Sequence, residues 1–447
     1  MGHLVTILGA GESGTGAALL AKAKGYDVFV SDYGIIADKY KSQLVEKGIE
    51  FEEGGHSKKK ILESRLVIKS PGIPETAKIV KKIREAGIKI VDEIEFAFSY
   101  TKAKIIAITG TNGKTTTTLL TYHLLKEAGL NVGLAGNVGH SLAKQVIEDK
   151  YDYFVVEMSS FQLDGCYLLK PYISILLNIT PDHMDRYEYK IENYVSSKFR
   201  IIKEAGQNDH FIYYADNELI ADKLSRYISP VKRVPITLDD VSDQMVMKIN
   251  DQIQIPQSET VLLGMHNAIN MMSAIHAALI MGVSEADIRQ GLKTFKNAPH
   301  RMEYVDTING VRFINDSKAT NVDAVKYALA SFTEPLVWIA GGVDKGNDYS
   351  LIMDEVNAKV KALVCLGKDN SKLRDAFHNQ IVNMLETDSI HQAVRSALEY
   401  AQTNDVVLLS PACASFDLFK NYEDRGEQFK QAVRELKNDF ETKALEQ

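Results

Sequence analysis

The first residues that could do chemistry form a loop suited to the phosphates of a nucleotide. The segment GTNGKT, residues 110–115, follows the apolar run IIAIT and precedes a stretch of helical periodicity. Glycines let backbone N–H groups approach phosphate oxygens, a helix start favours negative charge, and a lysine reaches the outer phosphates. The spacing is two residues shorter than G-x-x-x-x-G-K-[ST], because Ile108 stands at the first glycine of that pattern. The context still favours an ATP site over an ordinary glycine-rich turn.

A second glycine cluster lies near the start of the chain. Gly9, Gly11 and Gly14 follow a strand-like run and open a helix, and Asp32 ends the next strand. This spacing is typical of a loop that holds a pyrophosphate, with the acid on a ribose hydroxyl. The pattern fits NAD and UDP equally well, and a tight turn without a ligand remains the alternative.

Three further side chains follow the phosphate loop. Glu157 ends the strand-like FVVEM, where a carboxylate beside a phosphate loop would bind Mg²⁺ or simply be solvated. His183 follows another strand in NITPDH and is either structural or a ligand, with no cysteines beside it to suggest zinc. Lys198, in the helical YVSSKFR, is typical of a surface lysine, and an ammonium cannot ligate Mg²⁺.

Small polar loops follow three predicted strands in the last third of the chain. They are NDSKATN at 315–321, GGVDKG at 341–346 and SPACAS at 410–415. Ligands bind at the carboxyl ends of strands in open α/β sheets, so these loops predict a site, with three ordinary turns as the alternative. Lys318 and Lys345 could each neutralise a phosphate or a carboxylate. Cys413 has no evident base nearby and is interpreted as a buried small side chain.

The elements that must position these loops alternate between strand-like runs and helical periodicity. This alternation predicts an α/β protein with parallel sheets. We expect three domains, at residues 1–95, 96–298 and 299–447, which agrees with a length of 447 residues. The stretch SDQMVMKINDQIQIP predicts a small antiparallel hairpin, and a helical pair near 267–281 and 284–293 closes the middle domain.

The composition excludes several classes of protein. With 45% hydrophobic and 25% charged residues the chain is neither disordered nor fibrous, and its net charge of −7 argues against a broad nucleic-acid surface. Three cysteines cannot form a disulfide framework and suit a reducing compartment. No apolar run reaches the roughly 18–20 residues that span a bilayer, and no basic leader precedes the first strand. We therefore expect a cytoplasmic protein without membrane partners.

Taken together, the motifs resemble those of the Mur ligases of bacterial cell-wall synthesis. The segments GTNGKTTT, EMSSFQL, LNITPDHMDRY, YVSSKFR, HNAIN, HRMEY, NDSKATN and SPACASFDLFKNYEDRG occur in the family's order and span nearly the whole chain. The resemblance implies a Rossmann-like first domain, a central P-loop ATPase-type domain and a Rossmann-like last domain. Its closest match within the family implies an ATP-dependent ligase that joins D-glutamate to UDP-N-acetylmuramoyl-L-alanine. The D-N-P-[AR] motif of the diamino-acid-adding member is missing from this sequence.

The resemblance also implies a role for individual residues. The residues implied for ATP are Gly110, Thr111, Asn112, Gly113, Lys114, Thr115, Thr116 and Asn267, with Arg301, Asp316 and Lys318 from the last domain. Those implied for the UDP substrate are Gly11, Ser13, Gly14, Thr15, Asp32, Ser70, Gly72, Asn137, Ser159 and Gln162. Those implied for D-glutamate are His183, Thr320, Lys345, Ser415 and Tyr422, where the family often has Phe.

The catalytic set that the resemblance implies combines a lysine clamp with two metal ions. Its members are Lys114, Glu157, His183 and Lys198. Two Mg²⁺ ions would involve Thr115, Glu157, His183 and Lys198, the last after CO₂ has converted its amine to a carbamate. The carbamate is a carboxylate-like anion and removes the objection that an ammonium cannot bind a metal.

The implied reaction activates a carboxylate with ATP. Phosphoryl transfer makes an acyl phosphate, which the amine of D-glutamate attacks, so no covalent enzyme intermediate is needed. The expected partners are small molecules only, and we expect a monomer. The alternatives are another Mur-type or folylpolyglutamate-type ligase, an NAD-dependent oxidoreductase, and a nucleotide-binding regulatory module.

Overall fold

The structure is a computed structural model that describes residues 3–262 and 264–445. It contains two compact units, which are described separately. The first comprises residues 3–262 with 267–295, and the second comprises residues 264–266 with 296–445. None of the helices in the described ranges is both long and apolar enough to cross a membrane.

The first sheet of unit one is parallel throughout, in the strand order β3-β2-β1-β4-β5. Its core strands are nearly continuous apolar runs because helices cover both faces. Helix α1 begins at Glu12, within the first glycine cluster, where the sequence predicts that a helix opens. The elements are β1 (Leu4–Leu8), α1 (Glu12–Ala23), β2 (Asp27–Ser31), α2 (Asp38–Glu46), β3 (Glu50–Glu52), α3 (Lys58–Ile61), β4 (Leu66–Lys69), α4 (Lys78–Glu85), β5 (Lys89–Val91) and α5 (Glu93–Phe98).

The second sheet of unit one is parallel too, in the order β11-β10-β9-β6-β8-β7. Its strands are β6 (Lys104–Thr109), β7 (Val132–Gly136), β8 (Tyr153–Glu157), β9 (Ile173–Leu176), β10 (His210–Tyr214) and β11 (Lys232–Ile236). Its helices are α6 (Lys114–Glu127), α7 (Leu142–Val146), α8 (Ser160–Asp164), α9 (Ile191–Phe199), α10 (Glu218–Ser225), α11 (Met265–Ile280) and α12 (Glu285–Thr294). The predicted hairpin is confirmed as the antiparallel pair β12 (Val246–Lys248) and β13 (Gln254–Pro256).

Unit two is built on a six-stranded sheet in the order β14-β15-β19-β16-β17-β18. Among the described residues of this sheet, only β14 is antiparallel to its neighbour. The sequence analysis did not predict β14 or β18, because the alternation of apolar and polar residues is weak in both. The strands are β14 (Glu303–Ile308), β15 (Val311–Asn315), β16 (Leu336–Ala340), β17 (Val360–Leu366), β18 (Asn383–Thr387) and β19 (Val406–Leu409). The helices are α13 (Val322–Ala330), α14 (Met353–Lys359), α15 (Ser371–Phe377), α16 (Ile390–Tyr400) and α17 (Tyr422–Leu445).

Three sheets with helices on their faces match the predicted three-domain α/β class. The predicted boundary between residues 95 and 96 falls inside α5, whose Glu93 and Glu95 are buried. Glu95 accepts hydrogen bonds from the backbone N–H groups of Leu168 and Leu169, both at 2.9 Å. Helix α5 therefore fastens the first sheet to the second within unit one.

Candidate active site

The predicted phosphate loop lies between β6 and α6, at the carboxyl edge of the second sheet. Gly113 precedes α6 with φ +83°, a left-handed conformation that favours glycine. A Cβ atom at this position would lie 2.3 Å from Oδ1 of Asn270, so the loop also needs glycine for close packing. The strand–loop–helix context that the sequence predicted is confirmed.

The segment that follows β9 holds the phosphate loop through hydrogen bonds. Oδ1 of Asn178 accepts hydrogen bonds from the backbone N–H groups of Thr111 (3.1 Å) and Asn112 (2.8 Å). The Thr111 hydroxyl donates to the Thr180 carbonyl at 3.1 Å and lies 3.2 Å from the Tyr194 hydroxyl. These bonds fix the loop backbone before any ligand is bound.

Two lysines converge on one carbonyl oxygen of this loop. Nζ of Lys114 and Nζ of Lys198 each donate to the carbonyl of Gly110, both at 2.8 Å. Lys198 is only 1% exposed, so its interpretation as a surface lysine was wrong. Burial and the neighbouring Lys114 ammonium hold the pKa of Lys198 well below its usual value. The helical pattern of α9 did not indicate that Lys198 is buried, because the fold covers a face of this helix that carries polar side chains.

Glu157 ends β8 and points its carboxylate at the edge that carries the phosphate loop. The residue is 1% exposed, and its Oε1 accepts a hydrogen bond of 2.7 Å from Nδ2 of Asn137. Its Oε2 is buried and has no hydrogen-bond partner among the described residues. A buried carboxylate oxygen is costly without a partner, so this atom fits a cation ligand.

A metal ion at this edge would need ligands from a substrate. Within residues 3–262 and 264–445, no three His, Cys, Asp or Glu side chains gather closely enough to hold a metal. Mg²⁺ in nucleotide sites is bound by one or two carboxylates together with phosphate oxygens and water. The single carboxylate of Glu157 beside a phosphate loop fits this pattern.

His183 lies at the same edge but is half-exposed. Its backbone has φ +53°, and its Nε2 lies 3.6 Å from Oδ2 of Asp182. The ring of Phe161 contacts the His183 ring edge-on at 5.1 Å. His183 is therefore held by an acidic neighbour and by an aromatic side chain of α8.

Ser159 and Gln162 form the cap of helix α8. The Ser159 hydroxyl accepts from the backbone N–H of Gln162 at 3.3 Å, and Oε1 of Gln162 accepts from the backbone N–H of Ser159 at 2.9 Å. This reciprocal capping box stabilises the helix start. Sequence reasoning assigned both residues to the UDP substrate, and the structure gives each a structural bond as well.

The first glycine cluster is packed as tightly as its spacing suggests. A Cβ on Gly14 would lie 1.8 Å from the carbonyl oxygen of Gly9, so α1 can approach the loop only with glycine there. The Ser70 hydroxyl donates to the Gly9 carbonyl at 3.4 Å, and the Thr15 hydroxyl donates to the Ala10 carbonyl at 3.2 Å. These contacts shape the loop that joins β1 to α1.

The remaining predicted residues of unit one lie near this loop or on α11. Gly11 is the N-cap of α1, and Ser13 lies in its first turn. The carbonyl of Gly72 accepts a 2.9 Å hydrogen bond from Arg186, which lies just after His183. Asn267 lies in α11 and accepts at Oδ1 from Nδ2 of Asn270 at 3.2 Å.

In unit two, the predicted residues gather at the carboxyl edge of the third sheet. Asp316 is buried and accepts from the Ser410 hydroxyl (3.0 Å) and the Met302 backbone N–H (3.2 Å). Burial raises the pKa of Asp316 to about 7. Nζ of Lys318 lies 3.5 Å from the centroid of the Tyr422 ring, a close cation–π contact. The structure thus joins an implied ATP residue to an implied amino-acid residue.

The other implied residues of unit two lie in loops or at strand starts. Arg301 precedes β14, Thr320 follows β15, Lys345 follows β16 and Ser415 follows β19. His300 is buried, with Nδ1 2.9 Å from Nδ2 of Asn315.

One arginine that sequence reasoning missed ties these loops together. Arg425, in the first turn of α17, is 1% exposed. It donates to the hydroxyl (3.0 Å) and carbonyl (2.9 Å) of Ser317, and to the carbonyls of Gly341 (3.3 Å) and Cys413 (3.2 Å). These three residues belong to the loops after β15, β16 and β19. Cys413 is buried, as predicted.

The residues that sequence reasoning missed are mainly polar groups that act on other protein groups. They are Asn178, Tyr194, Asn270 and Arg425. For Asn270, the spacing from Asn267 offered a signal, since residues three apart share a helix face. For Arg425, nothing in the helical pattern of α17 marks it, because its partners come from distant loops.

The chain matches three families, in the order expected from the sequence. Residues 4–79 match the MurD N-terminal domain, residues 108–278 the Mur ligase middle domain, and residues 300–413 the Mur ligase glutamate ligase domain. In solved structures, a pseudomurein peptide ligase type C from Methanothermus fervidus matches with a TM-score of 0.62 and 20% identity over 97% of this chain and 100% of that one. The UDP-N-acetylmuramate-alanine ligase of Thermotoga maritima matches with 0.61 and 17%, over 98% and 100%. At these identities the two structures show the fold alone.

Curated relatives match over nearly the full chain. The UDP-N-acetylmuramoylalanine–D-glutamate ligases of Cytophaga hutchinsonii and Christiangramia forsetii are each 50% identical, over 98% of this chain and 100% of theirs. The enzyme of that name from Bacteroides fragilis is 48% identical, over 97% of this chain and 99% of its own. With its three matching domains and these relatives, the chain belongs to the Mur ligase family.

Proposed function

We propose that this chain is an ATP-dependent ligase that joins D-glutamate to UDP-N-acetylmuramoyl-L-alanine, releasing ADP and phosphate for peptidoglycan precursor synthesis. The full-length relatives that carry this name support the choice of substrates. The observation that carries the chemistry is the phosphate loop, with Lys114 and Lys198 on one carbonyl, beside the buried Oε2 of Glu157.

The proposal assigns one substrate to each domain. UDP would bind to residues 1–95, ATP to residues 96–298, and D-glutamate to residues 299–447. The protein would act as a cytoplasmic monomer without membrane partners, and its net charge of −7 supports the absence of a nucleic-acid partner.

Activation of the alanine carboxylate begins the reaction. A carboxylate is a poor acyl donor, because its leaving group would be oxide. Transfer of the γ-phosphoryl group of ATP to a carboxylate oxygen makes an acyl phosphate, and the N–H groups of residues 110–115 with Lys114 would hold the transferred phosphates. The amine of D-glutamate then attacks the acyl carbon, loses a proton, and expels phosphate as the amide forms. Water must be excluded meanwhile, or the acyl phosphate would hydrolyse.

The donor set at the phosphate loop fits Mg²⁺. Glu157, through its unpartnered Oε2, the hydroxyl of Thr115, and His183 are the residues that would hold two ions. When bound, Mg²⁺ would offset the negative charge that gathers as phosphates and carboxylate approach. Asn137 orients Glu157 through its 2.7 Å hydrogen bond.

Lys198 would complete the metal site as a carbamate. An amine must be neutral to attack CO₂, forming an N–C bond and releasing a proton. Burial and the neighbouring Lys114 lower the pKa of Lys198, which favours the neutral amine that this step needs. The carbamate would place an anion beside the Lys114 ammonium, where the neutral amine of Lys198 offers no attraction.

Phosphate release tests the proposal. Purified protein receives Mg-ATP and UDP-N-acetylmuramoyl-L-alanine, with D-glutamate, L-glutamate, L-alanine or a diamino acid in turn. We expect release only when both the UDP substrate and D-glutamate are present. Release with another amino acid would move the substrate assignment, and ATP binding without any release would favour a folylpolyglutamate-type ligase or a regulatory module.

A further inference from the structure

Two cations hold the carboxyl end of the loop that follows β4, residues 70–72. Nζ of Lys69 donates to the carbonyl of Ile73 at 2.8 Å, and the guanidinium of Arg186 donates to the carbonyl of Gly72 at 2.9 Å. Lys69 belongs to β4 itself, whereas Arg186 comes from the segment between β9 and α9. The contact of Arg186 with Gly72 therefore joins a loop of the first sheet to a loop of the second sheet, within unit one.

The same guanidinium lies over an aromatic ring of α8. Cζ of Arg186 is 4.6 Å from the centroid of the Phe161 ring. A guanidinium can cover an aromatic face while its N–H groups donate elsewhere, so one side chain makes both contacts. Phe161 lies between Ser159 and Gln162, the capping residues of α8 that the resemblance assigns to the UDP substrate. Arg186 thus contacts two segments that are implied in binding the same substrate.

Two routes lead from Arg186 to His183. The ring of Phe161, which Arg186 covers, meets the ring of His183 edge-on, with centroids 5.1 Å apart. The backbone N–H of Arg186 also donates to the His183 carbonyl at 2.9 Å. The backbone of His183 has φ +53°, a conformation that costs energy for a residue other than glycine and that its neighbours must hold in place. The orientation of the His183 ring therefore depends on the position of Phe161.

A different residue anchors the backbone of this segment. Tyr187 is buried, and its hydroxyl donates to Oδ2 of Asp164 at 3.0 Å. Its ring is stacked on Phe161, with centroids 6.1 Å apart. Arg186, by contrast, is only half-buried. Because Tyr187 already fastens the segment to α8, the contacts of the Arg186 side chain are available to orient its neighbours rather than to hold the fold.

We propose that Arg186 is a positioning residue for the ligation reaction, which couples the loop at residues 70–72 to the orientation of His183 through the ring of Phe161. That loop is assigned to the UDP end of the substrate, and His183 to the reacting end. The coupling lets part of the energy of binding the remote nucleotide serve the orientation of a group at the reacting centre. This inference rests on the proposed function, since it deepens the roles assigned to those two segments.

Steady-state kinetics of phosphate release test the coupling. Arg186→Met keeps an unbranched side chain but removes both contacts, so we expect kcat to fall about tenfold, with little change in KM for ATP or for the UDP substrate. Arg186→Lys should recover part of kcat, because an ammonium can still lie over the ring of Phe161. Arg226→Met is the matched control, at a side chain of α10 that is 71% exposed. An unchanged kcat in Arg186→Met would overturn the proposal, as would a rise in KM for the UDP substrate alone.

A double-mutant cycle tests whether Arg186 acts through Phe161. Phe161→Leu should lower kcat by about tenfold, as Arg186→Met does. If both residues act along one route, the double variant should also lose about tenfold, because the second substitution removes nothing further. A loss of about 100-fold, the product of the two single losses, would show that the residues act independently and would contradict the proposal. The urea midpoint of unfolding should stay close to the wild-type value in Arg186→Met, since Tyr187 still anchors the segment.

An NMR signal of His183 reports the same arrangement without any reaction. In ligand-free protein labelled with ¹³C-histidine, the Cε1–H signal of His183 is assigned by its loss in His183→Gln. We expect this signal to move in Arg186→Met, because the ring of Phe161 shifts relative to the histidine, while the signal of the exposed His391 stays in place.

The two measurements separate this inference from the proposed function. A His183 signal that does not move in Arg186→Met would overturn the inference, whatever the enzyme catalyses. Wild-type release that needs UDP-N-acetylmuramoyl-L-alanine and D-glutamate, found together with an unchanged kcat in Arg186→Met, would overturn the inference and leave the proposed function standing. A wild type that releases no phosphate with these substrates would contradict the proposed function, and with it the assigned role of Arg186 in the ligation.

Discussion

Lys114 and Lys198 donate hydrogen bonds to the same carbonyl oxygen, that of Gly110, each at 2.8 Å. Lys114 comes from the start of α6 and Lys198 from the end of α9, so 84 residues of sequence separate two groups that share one acceptor. Two ammonium groups this close repel each other, and burial strengthens the repulsion. Burial and this repulsion together hold the pKa of Lys198 well below its usual value.

Replacing Lys114 should remove the phosphate clamp. We expect Lys114→Ala to lower kcat for phosphate release by about 100-fold or more, because a charge aimed at transferring phosphates contributes at that scale. Lys104→Ala is the control, since Lys104 is exposed at the opposite end of β6. A Lys114→Ala enzyme that keeps more than about a tenth of wild-type activity would exclude the assigned role.

Replacing Lys198 should lower the activity of the enzyme without lowering its folding stability. Lys198→Met keeps a long side chain but removes the amine, and the Gly110 carbonyl still accepts from Lys114. We expect activity to fall about 100-fold. The urea midpoint of unfolding should stay level or rise, because the substitution removes a buried ionisable group and leaves no buried polar group unpaired. Lys190→Met, at a side chain 64% exposed, should change neither. A carbamate signal in ¹³C NMR under ¹³CO₂ should be present in the wild type and lost in Lys198→Met.

Glu157→Gln tests the carboxylate as a metal ligand. The amide keeps the shape and can still accept from Asn137, but it loses the negative charge. We expect the Mg²⁺ concentration for half-maximal phosphate release to rise about tenfold or more, with little loss of folding stability. Asp152→Asn, at an exposed position just before β8, serves as the control. The same Mg²⁺ dependence in Glu157→Gln and wild type would rule out Glu157 as a ligand.

The buried Glu93 should make stability depend on pH. Burial raises the pKa of Glu93 from 4.5 to about 7, against hydrogen bonds from Ser141 and Ala143 that lower it. The folded state then holds a proton that the unfolded state releases, so the free energy of unfolding falls as pH rises from about 4.5 to about 7. Glu93→Gln should flatten this slope in urea titrations, whereas Glu63→Gln at an exposed position should keep it. An unchanged slope in Glu93→Gln would exclude Glu93 as its source.

Arg425 should position the loops that carry the amino-acid site. Lysine cannot reproduce the forked donors of arginine. In Arg425→Lys, some of the three loops therefore lose their hydrogen bond to the side chain at this position. We expect KM for D-glutamate to rise about tenfold, with a smaller change in KM for ATP, because Ser415 and Lys345 lie in two of those loops. Arg434→Lys, exposed on the same helix, should behave as the wild type. Equal changes in both KM values would indicate a general loss of structure.

The local features of the chain were determined by its sequence. The strand–loop–helix around residues 110–115, the tight turn at Gly9–Gly14, the hairpin of β12 and β13 and the burial of Cys413 all follow from residue type and short-range spacing. Periodicity and glycine placement act within a few residues, so these features need no knowledge of the rest of the fold.

The tertiary structure decided which polar groups meet. The burial of Lys198 and the clamp of Arg425 each depend on partners tens of residues or more away. No pattern in α9 or α17 indicates these partners, because burial and pKa depend on what packs against a side chain. The sequence determined the two glycine-rich loops, and the fold decided the charge and the orientation of the groups that surround them, because those groups come from distant parts of the chain.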